Sequence, residues 1–164
     1  MDNPAPIETQ EPVQKANRFL LPAGILMILL IVAAVGTYTW YYLYSPCGVK
    51  AVEEASGLLL TQMNTYDKEY QFAATAPSAS IAHPVTVLQQ IFMDTQEVVV
   101  PACMQTAKSE LVNYMGAVIR AFLAFGAQET ESTIRDLVDQ SQTHYDNFYT
   151  ELEVLNKCAP FCSP

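Results

Sequence analysis

Hydrophobic and polar positions fall into two regimes along the chain. Residues 19–43 are apolar or weakly polar throughout, without a charged side chain, whereas from Val49 onward apolar residues return at helical intervals among polar ones. The first regime predicts a membrane helix. At a rise of 1.5 Å per residue its 25 positions extend roughly 37 Å, enough for a hydrocarbon core of about 30 Å with some tilt. Pro22 falls in the first turn, where a missing N–H is harmless. Tyr38, Trp40, Tyr41, Tyr42 and Tyr44 gather at the far end, as side chains with an apolar body and a polar tip do at the headgroup level. A helix apolar on every face is a poor fit to the core of so small a protein.

The second regime contains four amphipathic stripes. Val52, Ala55, Leu59, Met63, Tyr66, Tyr70 and Ala73 follow one another in steps of three and four, one face of a helix. After an Ala-, Ser- and Pro-rich connection, Pro84 is expected at the first position of a second helix. Val85, Leu88, Ile91 or Phe92, and Val98 or Val99 face inward, and the chain leaves the helical region before Pro101. A third helix starts near Ala102 and carries Met104, Ala107, Leu111, Met115, Val118, Phe122 and Phe125. A fourth, capped by Thr130 or Ser132, carries Ile134, Val138, Ser141, Tyr145, Phe148, Leu152 and Leu155 and stops at Pro160. Four helices with short connections predict an antiparallel up-down-up-down bundle. The expected fold is therefore all-α: a disordered cytoplasmic tail over residues 1–17, a single transmembrane helix over 18–44, and an extracytoplasmic helical bundle over 45–164.

Composition sharpens this picture. The chain has 164 residues, of which 51% are hydrophobic and 15% charged, and a formal net charge of −9. That balance, with no basic cluster, excludes nucleic acid as a natural partner. Lys15 and Arg18 flank the N-terminal end of the apolar run, which places the N-terminus in the cytoplasm and the rest of this single-pass protein outside it. The acidic residues Asp2, Glu8 and Glu11 in a long leader argue for a retained signal-anchor over a cleaved signal peptide.

All four cysteines, Cys47, Cys103, Cys158 and Cys162, follow the run, as expected of a domain in an oxidising space. The up-down-up-down order brings them to the bundle end nearest the membrane. Two disulfides are expected there, with Cys103–Cys158 and Cys47–Cys162 favoured because the third and fourth helices are sequential neighbours and Pro160 can turn the tail back. A redox role for Cys158 and Cys162 is disfavoured by their CxxxC spacing and the lack of a βαβ context, and a zinc site by the lack of clustered CxxC pairs.

No catalytic, cofactor-binding or metal-binding residues are assigned. His83 and His144 lack metal-site spacing, the carboxylates lie mostly off the apolar stripes, and there is neither a GxSxG turn nor a Gly-rich phosphate loop. Tyr66, Tyr70, Tyr114, Tyr145 and Tyr149 are assigned to the bundle, as core residues in preference to ligand contacts. The expectation is a non-enzymatic, membrane-anchored extracytoplasmic domain that serves an envelope complex through a protein partner, with self-association a further option and no cofactor. The alternative is a small-ligand sensing module. In architecture alone, over residues 49–157, the chain resembles the extracytoplasmic helical bundles of bacterial receptors. That resemblance implies ligand binding, with output passed through a partner.

Overall fold

The computed structural model describes residues 20–77 and 80–158, with no side-chain account of residues 20–25, 43 and 44. The expected tail over 1–17 lies outside the described residues, as do Pro160 and Cys162. The described chain is all-α, without a strand: α1 (Leu20–Tyr44), α2 (Val49–Thr75), α3 (Ala82–Glu97), α4 (Gln105–Gly126), introduced by a 3-10 turn at Ala102–Met104, and α5 (Glu131–Cys158). Two compact units meet between Tyr38 and Thr39. In the first, the large side chains from Leu26 to Val35 and Tyr38 are exposed. Among the described residues no helix is long and apolar enough to cross a membrane. Of the aromatics expected at a membrane interface, Tyr38, Trp40 and Tyr41 are exposed and Tyr42 is half-buried; Tyr44 lies outside the described side chains.

The second unit is the helical bundle. Its chain enters through a turn at 45–48, where Gly48 serves as the N-cap of α2. A Cβ at Gly48 would sit 2.6 Å from the Tyr42 carbonyl oxygen, so only glycine fits this close approach. Helix directions follow from the contacts. The Tyr66 hydroxyl of α2 donates to the Met115 carbonyl of α4 at 2.9 Å, and Cys47 joins Cys103, so α2 and α4 run parallel. The first turn of α4 meets the end of α3, where Lys108 donates to the carbonyls of Gln96 and Val98 at 2.6 and 2.7 Å. Glu110 and Tyr114 of α4 meet His144 and Tyr145 of α5, while Phe122 and Val138 line one cleft farther along. The order is up-down-up-down.

Burial explains why these segments are helices. Val52, Ala55, Leu59, Met63, Tyr66 and Ala73 of α2, Val85, Leu88 and Ile91 of α3, Leu111, Met115 and Val118 of α4, and Phe148, Leu152 and Leu155 of α5 form one core. A helix of this length gains most of its stability from such a face. α4 packs most extensively against α5 and next against α3, whereas α2 packs mainly against α3 and meets both α4 and α5 sparsely. The buried face of α4 is accordingly wider than a stripe, taking in Tyr114, Ala117, Ile119, Ala121 and Ala124.

The disulfide pairing corrects the expected one. Cys47 bonds Cys103 with Cα atoms 6.1 Å apart, which overturns both Cys103–Cys158 and Cys47–Cys162. Parallel α2 and α4 begin at the same end, and each cysteine stands just before the first turn of its helix, which brings the two together more directly than neighbours in sequence order. Cys158, at the end of α5, is also disulfide-bonded. α3 starts two residues earlier than expected, so Pro84 lies inside its first turn and His83 is helical and exposed rather than in a loop.

Candidate functional site

Tyrosines from three helices form a ladder through the middle of the bundle. Tyr66 of α2 meets Tyr114 of α4 with ring centroids 5.8 Å apart, Tyr114 meets Tyr145 of α5 at 5.5 Å, and Tyr145 meets Tyr149 at 4.8 Å. Edge-on and tilted geometries of this kind are favoured by the ring quadrupoles. The Tyr114 hydroxyl donates to Asp67 Oδ1 at 3.3 Å. Burial pushes the Asp67 carboxyl above its ordinary range, against the pull of that hydrogen bond. Burial also raises Tyr66 and Tyr114, helped in each case by the neighbouring Asp67 and tyrosines. It moves Tyr149 up to about 12, with its hydrogen bond to Tyr145 adding to the shift. The Tyr66, Tyr114 and Tyr149 hydroxyls therefore stay neutral at physiological pH. Beside the ladder, His144 Nδ1 lies 2.7 Å from Glu110 Oε2, and Asn147 donates to the same oxygen at 3.3 Å, clamping α5 to α4.

Beyond the ladder, away from the Cys47–Cys103 end, the bundle opens. Tyr70 packs on Phe122 at 5.7 Å and closes the inner end of a cleft of about 290 Å³. Tyr70, Ala73 and Ala74 line it from α2, Ala76 and Ile81 from the α2–α3 link, Val118, Ala121, Phe122 and Phe125 from α4, and Ile134, Val138 and Ser141 from α5. The cleft exists because α2 meets both α4 and α5 sparsely and because alanines line its α2 side. Among the described residues its walls carry no Lys, Arg, His, Asp or Glu.

Several stripe positions that the sequence directs inward stay partly open here. Tyr70 is 38% exposed, and Phe125 and Val138 are each 50% exposed. At the other end of the bundle the same stripes are closed: Leu59, Met104 and Leu111 are fully buried. The sequence identified these residues as one face but assigned Tyr70 to the core, and no spacing signals that the face parts from its partner. Ser141, a polar residue on the α5 stripe, is the one legible trace of the site. Among the described residues no group of histidine, cysteine and carboxylate side chains is arranged to hold a metal ion.

No protein-family model matches the chain, and no match was found among curated proteins or solved structures.

Proposed function

We propose that this chain is a non-enzymatic, membrane-anchored binding module whose helical bundle receives a small ligand in the cleft between α2, α4 and α5. The observation that carries this reading is the set of inward stripe positions left open together at one end, which is a costly arrangement for a bundle that had only to fold. A binding role is supported over catalysis by the lining: among the described residues its single titratable side chain is Tyr70, with no histidine, lysine or carboxylate beside it to act as a base.

The anchoring part rests on the uncharged sequence of residues 19–43 and the exposed apolar side chains that follow Leu26. Residues 26–42 alone fall short of the roughly 20 needed to span; the remainder of the run supplies the length. The N-terminus is proposed to face the cytoplasm and the bundle to lie outside it, with the bilayer as one partner and a protein partner carrying the output. Carbonate extraction of native membranes should leave the chain in the pellet; release into the supernatant would end the anchor reading. For the cleft, the test is a thermal-shift screen of small compounds against the full-length chain and its Ala74→Phe variant. The reading holds if some compounds stabilise the former and not the latter, and it fails if no compound distinguishes them.

Leu58 and Phe72, both exposed on the outward side of α2, favour a second reading, in which the bundle is an interaction component of an envelope complex. Affinity capture from solubilised membranes that brings down a partner through Leu58 and Phe72, lost on Phe72→Glu, would support it; recovery of the chain alone would oppose it.

A further inference from the structure

We propose that the ligand of the cleft is a neutral single-ring molecule bearing one hydrogen-bond donor, recognised through Ser141. This inference deepens the binding reading above and rests on it.

Three features of the cleft define the class. The first is charge. With no ionic side chain in the lining, an ionised guest would lose its hydration and gain no partner, a cost far larger than any apolar contact recovers.

The second is size and shape. The cleft is bounded along α4 by Val118 and Phe125 and along α5 by Ile134 and Ser141, seven residues in each case (125 − 118 and 141 − 134), or about 10 Å of helix axis. That length and a volume of about 290 Å³ suit one ring with a short substituent. Phe122, Phe125 and Tyr70 supply ring faces and edges for it.

The third is the buried one of the two hydroxyls that line the cleft, those of Tyr70 and Ser141. Ser141 is 7% exposed, and its hydroxyl donates to the Val138 carbonyl at 2.7 Å. The hydrogen is thereby committed, so Oγ presents its lone pairs as an acceptor. A donor on the guest meets this oxygen; an acceptor does not.

The test uses three probes, toluene, phenol and benzoate, on the full-length chain labelled at alanine methyls and solubilised in detergent, with free probe corrected for partition into empty micelles. Toluene and phenol are expected to shift the Ala73, Ala74 and Ala121 methyl resonances, and benzoate is not. In Ser141→Ala the affinity of phenol relative to toluene is expected to fall roughly two- to tenfold, the range of one net hydrogen bond. Ala74→Phe, which adds bulk at the rim and spares the core, is expected to abolish the shifts of Ala73 and Ala121. An unchanged phenol-to-toluene ratio in Ser141→Ala overturns the assignment of Ser141. Benzoate binding as well as the neutral probes overturns the ligand class and leaves the cleft standing as a binding site. Failure of all three probes to move these methyls, or shifts that survive Ala74→Phe, overturns the class and the binding reading together.

Discussion

Gln128 stands at φ 58°, the left-handed region that glycine occupies without penalty. It follows the last turn of α4, where the Glu129 N–H donates to the Ala124 carbonyl and the Gln128 N–H to that of Phe125, the paired bonds of a Schellman motif. Gln128→Gly is expected to stabilise the bundle by about 0.5–1 kcal/mol, read as a higher midpoint in chemical denaturation. Asp67 offers a second test at this scale. Its carboxyl is raised above 3.8 in the folded chain, so the folded state holds the proton more tightly. Its contribution is fully present below 3.8 and is lost as pH rises through the elevated value. Asp67→Asn keeps an acceptor for the Tyr114 hydroxyl and removes the desolvated charge. The variant is expected to exceed the parent in stability at neutral pH, with the difference shrinking on acidification; denaturation midpoints measured across that window check the sign.

At the scale of helices, Lys108 ties the end of α3 to the start of α4 through two carbonyls that would otherwise be unpaired at a helix terminus. Lys108→Met keeps the aliphatic stem and is expected to cost about 1 kcal/mol, with faster amide exchange confined to the last turn of α3. The sequence was most legible at this scale. Steps of three and four named every buried residue of α2 but Ser56 and every buried residue of α5, because a helix has one inward face and periodicity reports it. Thr130 was legible as a cap, and its hydroxyl accepts from the Thr133 N–H. Glu131 and Arg135 pair one helical turn apart. The left-handed conformation of Gln128 was hidden because the residue is not a glycine. Tyr114 lay off the α4 stripe because that helix is packed closely by both α5 and α3 and so buries a face broader than one stripe. The cleft was hidden for a related reason: a stripe reports the side a helix turns inward, not how far away its neighbour stands.

For the molecule as a whole, the disulfide closes a loop of 56 residues, which in the chain-entropy model contributes about 4 kcal/mol. The double variant Cys47→Ser, Cys103→Ser is expected to lose up to that amount, measured by urea denaturation. The loss should fall on global stability and leave compound binding at the cleft unchanged, since the two lie at opposite ends of α2.

The same bond decides how the bundle bears a mechanical load. Tension arriving along the chain at Ser45 would, with a single attachment, peel the bundle apart starting from α2. With Cys47 joined to Cys103, part of that tension passes directly into α4, the helix gripped by all its neighbours. The load is then shared by two parallel rods, and rupture requires shearing α4 from its surroundings in place of unzipping α2. Under an oxidising atmosphere the domain should resist stretching as a block; after reduction it should yield one helix at a time.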